Sequence, residues 1–526
     1  MTSKFAEAMN ISNGVTWNNA KSLEYPDPKG MCNGRISLFF KTTRGLDIPR
    51  LYKYILDSSN ENIIDTFLLV FNTRDCRGGK GERELGRKSL IWLFINYPIL
   101  FSKILVFIPE YGRWDDMLQF FPSVLNLNSL DYVRDNFMSQ SINESDLSNL
   151  RDLQKNIVKM FANQLLEDYN NMLEGKVCSI AAKWAPTEKD SLDRNHNVYK
   201  CLADSMGIKP RVLRKKFLTP LRSYIKIVEK YMCSNMWDQI DYNKVPSCAM
   251  KRLKKSFEKH DSDRFKEWRD LLSKGDTKVA KINAKQLFPY ELIREIRINN
   301  RADTVCEEQW KVLEEECFKL GVLEDSIVVC DTSSSMHTPD YLPIDNSIAL
   351  GLLISHCTKG VFNNHVITFN SIPQFVSITP SCLYNRWLQL KNIPWGGSTN
   401  IQETFKIILD KAKRFNLSAD DMPKRIWIIS DMQFNAVDSS SNTNFEEIDN
   451  MYKKSNYSRP QIIFWNVNGA STDFPITSDE NGTCLISGFS PSIMKSILSN
   501  NDMSPYNIMR NTIDGDRLSK VRECLM

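Results

Sequence analysis

The run Ser326-Ile327-Val328-Val329-Cys330-Asp331-Thr332-Ser333-Ser334-Ser335 decides the fold of the C-terminal part of the chain. Its first five residues form a β-branched run, suited to a strand buried on both faces. Downstream the pattern alternates. A helical spacing covers Ile344–Thr358, and short strands follow at Val366–Phe369 and Gln374–Ile378. Helical spacing returns at Leu383–Leu390 and Ile401–Phe415, before a second strongly apolar strand at Arg425–Ser430. A helix at Phe445–Lys454, a third apolar strand at Gln461–Trp465, a strand at Thr483–Ile486 and a helix at Ser492–Ser499 complete the series. Strand–helix alternation of this kind predicts a doubly wound α/β domain with a mostly parallel sheet. Such sheets put their ligand sites at the carboxyl ends of the strands.

Upstream of Gly321 the texture is different. Apolar residues recur at three- and four-residue spacing over Ile48–Leu56, Asn62–Phe71, Leu85–Ile95, Leu150–Met172 and Val212–Met232,. Turn signals separate these stretches, such as Pro109-Glu110-Tyr111-Gly112 and Lys274-Gly275-Asp276,. Many medium helices on short loops predict an all-α bundle or an α-solenoid. The expected organisation is a helical domain at 1–322, an α/β domain at 323–500 and a tail at 501–526.

Composition sets the class. Of 526 residues, 42% are hydrophobic and 25% charged, the mixture of a soluble globular chain,. The longest charge-free apolar stretch, Asn346–Thr358, is too short to span a bilayer, so no membrane association is expected,. The N-terminus lacks the apolar core of a signal peptide,. Thirteen cysteines without a C-x-x-C pair fit reduced thiols, and with five histidines they offer no zinc-finger spacing,. A cytoplasmic protein is expected. Its 45 asparagines fit a low-GC genome such as that of a large virus.

Charge is uneven. Residues 209–285 hold 21 basic and 9 acidic residues, a net of +12, whereas residues 323–526 are mildly acidic. A basic field of that size attracts polyanions, nucleic acid above all, but it also describes an ordinary solvated helix face. A second basic cluster surrounds flexible glycines: Arg74, Arg77, Lys80, Arg83, Arg87 and Lys88. It can face phosphates or pair internally with Asp75, Glu82 and Glu84. Arg113-Trp114 and Lys183-Trp184 place a cation beside an aromatic ring, as single-strand stacking platforms do, although tryptophan is more often core,.

The chemistry concentrates at predicted strand ends. Asp331, Ser333 and Ser335 follow the first strand, Gly396-Gly397-Ser398-Thr399-Asn400 opens a helix, and Asp431 follows the second apolar strand. Asp331, Ser333, Ser335, Thr399 and Asp431 offer oxygens to a hard divalent cation. A helix cap at the serines and a solvated loop acid at Asp431 is the plainer reading. A haloacid-dehalogenase phosphatase would need an acid where Ser333 stands, and Arg77–Arg83 lacks the spacing and hydroxyl of a P-loop,. His337 stands alone beside the loop, and no Ser/His/Asp or Cys/His set is evident, so no enzyme is expected. A metal-assisted hydrolase at Asp331 and Asp431 would lack a general base.

These five residues, in this order, resemble the metal-ion-dependent adhesion site of von Willebrand factor type A domains. That resemblance implies Mg²⁺ or Mn²⁺ at Asp331, Ser333, Ser335, Thr399 and Asp431, with room for an acidic group of a protein partner. Three further motifs, Thr73–Glu84, Pro109–Asp116 and Ala182–Pro186, resemble a DUF2828-like family over roughly 35–500. That family is similar in architecture to the TROVE-module Ro ribonucleoprotein autoantigen. The resemblance implies an N-terminal HEAT-like helical repeat that engages small structured or single-stranded RNA. Arg74, Arg77, Lys80, Arg83, Arg87, Lys88, Arg211, Arg214, Lys215 and Lys216 are the candidate contacts. The expected function is a non-enzymatic, ribonucleoprotein-type RNA-binding protein with a metal-dependent interaction domain. The alternative is a protein-interaction scaffold without nucleic acid.

Overall fold

The computed structural model describes residues 13–15, 21–23, 34–121, 144–275, 278–321, 323–369, 373–394, 401–433, 444–470, 482–494 and 504–526. The N-terminal region is helical, and the C-terminal region is a mixed α/β structure around a six-stranded sheet. The strands are β1 (Ser326–Asp331), β2 (His365–Phe369), β3 (Gln374–Ser377), β4 (Arg425–Ser430), β5 (Gln461–Asn466) and β6 (Thr483–Ser487). Their spatial order is β3-β2-β1-β4-β5-β6. All neighbours are parallel except the edge pair β2–β3. This is the doubly wound order that reverses between β1 and β4, so the crevice of the sheet opens at the ends of those two strands.

The apolar runs explain the layering. Every residue of β1 is buried, as are Ile426–Ser430 in β4 and Ile462–Asn466 in β5. Covering both faces of such strands needs helices that approach closely. The helix Leu342–Cys357 does so through Gly351, where a Cβ would fall 2.1 Å from the Cys330 sulfur. Any larger side chain there would have to displace the Cys330 sulfur.

The chain divides into two compact units that interleave along the sequence, in contrast to the contiguous partition at 322 and 500. One comprises residues up to Leu85, Pro246–Lys254 and Lys266–Leu518; the other comprises Gly86–Val245, Lys255–Phe265 and Ser519–Met526. In the first unit the early helices α1 (Gly34–Lys41), α2 (Ile48–Glu61) and α3 (Ile63–Arg74) join the sheet. Asp47 caps α2 by accepting the Arg50 amide at 2.8 Å, and Asn62 caps α3 through the Asp65 amide at 2.9 Å,.

Ion pairs on buried acids fix these helices. Asp65 accepts from Arg35 at 2.7 Å and Arg510 at 2.6 Å, and Asp75 accepts from Arg517 at 2.8 Å. Lys80 is the staple. Its Nζ donates to the Phe39 and Thr42 carbonyls and to Ser487 Oγ at the end of β6. Burial pushes the Lys80 ammonium down to about 7, with Glu82 pulling it partly back. Lys80→Met removes the donor for two buried carbonyls, so the chain should lose about 2–4 kcal/mol of stability. Urea unfolding of both proteins at equal pH checks this; an unchanged midpoint would show that the staple carries nothing.

The described residues of the second unit are helices and loops, with a core in which Phe94, Phe101 and Phe120 meet at 5.3–5.8 Å and Trp114 packs on Phe161 at 4.9 Å. The single helix expected over Val212–Met232 is broken. Its pieces are Pro210–Val212, a π-helical turn at Leu213–Leu218, Thr219–Tyr224 and Val228–Cys233. Pro220 has no N–H to donate to the preceding turn, and the Thr219 amide reaches back to the Arg214 carbonyl, widening the ladder,. Lys226, with φ of 51°, then turns the chain in the left-handed region.

Candidate metal centre

Asp331 is the last residue of β1, and Asp431 follows the last residue of the adjacent β4. Parallel pairing of β1 with β4 therefore brings the two acids to the crevice from opposite sides of the switch point,. Neither is solvated: Asp331 is 0% and Asp431 2% exposed.

The local backbone is built around them. The Ser333 amide donates to Asp331 Oδ1 at 2.9 Å, and the Ser430 hydroxyl donates to Oδ2 at 2.5 Å. Ser430 Oγ accepts the Met432 amide at 3.0 Å, and Asp431 Oδ1 accepts the Gln433 amide at 3.1 Å. This tight turn holds Met432 at φ of 65°, a conformation few side chains adopt,. The Ser333 and Ser335 hydroxyls lie 3.2 Å apart. His337 is turned to the backbone instead, with Nδ1 at 3.2 Å from the Ser333 carbonyl and its ring edge-on to Tyr341.

The electrostatics are those of a site with too much negative charge. Burial pushes the Asp331 carboxyl well above its ordinary range, and the Asp431 charge pushes it further, against the pull of Ser333 and Ser430. Burial likewise raises Asp431, while the Ser335 hydroxyl and the Gln433 amide hold it back. Thr332 Oγ1, between the two groups of donors in sequence, is buried with no hydrogen-bond partner among the described residues. Two desolvated carboxylates and two adjacent hydroxyls form an all-oxygen donor set that fits a hard cation,. The structure thus brings together Asp331, Ser333, Ser335 and Asp431. Thr399 lies outside the described residues.

Sequence reasoning missed Ser430, which orients Asp331 and shapes the Asp431 turn. Its signal was faint: a hydroxyl at the end of an otherwise apolar strand. A second acidic cluster, Glu295, Asp303 and Cys306, is filled from within. The Lys254 ammonium lies 2.5 Å from Glu295, 2.8 Å from Asp303 and 3.7 Å from the Cys306 sulfur.

The basic candidates separate by burial. Arg74 and Lys80 are buried, so neither can meet a phosphate in the folded chain, and Lys80 serves as the staple described above. Arg87 is engaged by Asp115 and Asp116, both at 2.6 Å. Lys88 is half-buried, while Arg77 and Arg83 are exposed. Asp75 and Glu82 pair with distant arginines, Arg517 and Arg44, and Asp75 also accepts the Arg77 amide at 3.0 Å. In the second unit Arg211, Arg214, Lys215 and Lys216 are all exposed on or beside the π-helical turn. Arg214 approaches Glu188 at 3.8 Å, and the Lys216 ammonium sits 5.4 Å over the Tyr169 ring. Of the two cation–aromatic pairs, Trp114 is core, whereas the Lys183 ammonium does sit 5.8 Å over the Trp184 ring while also reaching Glu229 at 3.2 Å.

Two family matches divide the chain. Residues 133–323 match the DUF2828 family model, a domain of unknown function. The DUF2828 match includes the Ala182–Pro186 motif, and Thr73–Glu84 and Pro109–Asp116 lie upstream of its bounds. Residues 325–523, which hold the acidic site, match a separate domain of unknown function, DUF7788. Uncharacterized protein L728 of Acanthamoeba polyphaga mimivirus is 29% identical over 505 residues, covering 91% of this chain and 84% of that protein. Among solved structures, the Ro (RSR) protein of Deinococcus radiodurans aligns over 92% of this chain and 99% of its own, with a TM-score of 0.37 and 12% identity. No described helix is long and apolar enough to cross a membrane.

Proposed function

We propose that the chain is a binding protein, not an enzyme, whose α/β part holds Mg²⁺ or Mn²⁺ in the manner of a von Willebrand type A domain. Asp331, Ser333, Ser335 and Asp431 would hold the ion, with Thr399 as the fifth ligand. The observation that carries this reading is the pair of buried carboxylates at the ends of adjacent strands at the switch point of the sheet. A divalent cation supplies the missing positive charge and leaves a coordination position for an acidic side chain of a protein partner. Calorimetric titration of the intact chain with Mn²⁺ tests the reading. One site per chain is expected; the absence of any site would contradict it.

The helical part, in this proposal, engages RNA. What supports it is the exposure of Arg211, Arg214, Lys215 and Lys216 along one short segment, with Glu188 the one acid paired to them among the described residues. The Lys216 ammonium over the half-buried Tyr169 ring adds a cation beside an aromatic at the same segment,. The scaffold reading, with the metal site but no nucleic acid, is separated from it by salt-dependent RNA binding.

A further inference from the structure

At the end of the sheet opposite the acidic crevice lies a cavity of about 490 Å³. It opens at the amino ends of β4 and β5 and is lined by Met422, Lys424, Arg425, Tyr457, Arg459 and Pro460, among others. The volume falls within the usual range for small-molecule sites.

Its charge is one-sided. Three cations line the cavity, and no carboxylate is among the lining residues. Lys424 reaches out to Asp325 at 2.7 Å, and Arg459 to Asp449 at 3.2 Å, an acid also held by Lys453. Arg425 is different. Its register partner on β5 is Gln461, and its Nε donates to Gln461 Oε1 at 3.0 Å. Where a carboxylate would neutralise the guanidinium, the neighbouring strand offers a neutral amide. Among the described residues no acid pairs with Arg425.

The walls are rigid and partly apolar. Met422, Pro423 and Pro460 are buried, and the Tyr457 hydroxyl is tied to the Leu417 carbonyl at 2.9 Å. Arg459 is pinned by its own bonds to the Pro460 and Gly482 carbonyls. A guanidinium without an acid partner on a concave cationic surface suits an oxyanion with several acceptors, and the apolar wall suits the organic body attached to it,.

We propose that this cavity binds a small phosphate-bearing molecule, with Arg425 as the main anchor and Lys424 and Arg459 completing the charge. The site is independent of the metal: the carboxyl end of β4 lies roughly 17 Å away along the strand at about 3.3 Å per residue.

Calorimetry of the intact chain in metal-free, low-salt buffer tests this, with inorganic pyrophosphate, adenosine monophosphate and adenosine as probes. Pyrophosphate and the monophosphate should bind one molecule per chain, and adenosine should not. Arg425→Met should weaken both phosphate probes by about tenfold or more, the loss of one charge-assisted contact. Lys424→Gln, at an exposed position, should weaken them less and keep the wild-type melting temperature. If Arg425→Met melts early, Lys424→Gln alone decides. Asp331→Ala should bind the probes as wild type does. No binding of either phosphate probe, equal binding of adenosine, or full affinity in the folded cavity variants would overturn the proposal.

Discussion

Asp331→Ala should abolish Mn²⁺ binding while leaving the metal-free chain at least as stable as wild type. The two halves of this expectation share one cause. In the wild-type chain burial raises the proton affinity of both the Asp331 and Asp431 carboxyls, and the Asp431 charge raises that of Asp331 further. Removing one relieves that repulsion, so the usual penalty for a core substitution is offset. The same removal takes a charged oxygen from the donor set, and the loss in Mn²⁺ affinity should exceed about a hundredfold, about 2.7 kcal/mol. Thermal unfolding adds a second readout. Excess Mn²⁺ at a hundred times its dissociation constant should stabilise wild type by about 2.7 kcal/mol and the variant not at all. Asp431→Asn should behave in the same way while keeping the side-chain volume. Equal Mn²⁺ affinity in wild type and either variant would remove both acids from the site.

Reversing Arg214, Lys215 and Lys216 to glutamate should weaken RNA binding and flatten its salt dependence. Each phosphate contact to a single strand contributes about −0.7 to the slope of log affinity against log salt, so three lost contacts reduce the slope by about two units. The loss should be similar for a structured RNA and a polypyrimidine strand, because phosphate contacts position a chain without reading its bases. Stability should change little, since all three side chains are exposed and only Arg214 is drawn to an acid. Filter binding at several salt concentrations measures both effects. No binding by wild type at low salt would favour the scaffold reading.

The sheet was legible because its signals are local. Ile327–Cys330, Ile426–Ile429 and Ile462–Trp465 are continuous apolar runs, and such runs suit strands covered on both faces,. The acids at their ends were legible for the same reason, since a residue just after a buried strand must sit at the sheet's edge. Long-range packing was not legible. Nothing near Lys80 announces that its ammonium ends at Ser487 of β6, so a glycine-rich basic stretch read as surface. The attachment of α3 to the C-terminal segment, which interleaves the compact units, rests on such distant pairs as Asp65–Arg510 and Asp75–Arg517. The break after Val212 lay in plain view as Pro220, but the apolar spacing on either side masked it. The cavity at Arg425 escaped because a cation before a strand is unremarkable until its neighbour proves to be Gln461.

The most direct measurement is an anomalous difference map from a crystal of the intact chain grown with Mn²⁺. A metal at the switch point should give one strong peak bounded by Asp331, Ser333, Ser335 and Asp431, with direct oxygen ligands at about 2.1 Å, the distance set by a small hard cation. A featureless map at that crevice, or a peak confined to the Glu295–Asp303–Cys306 cluster, would contradict it.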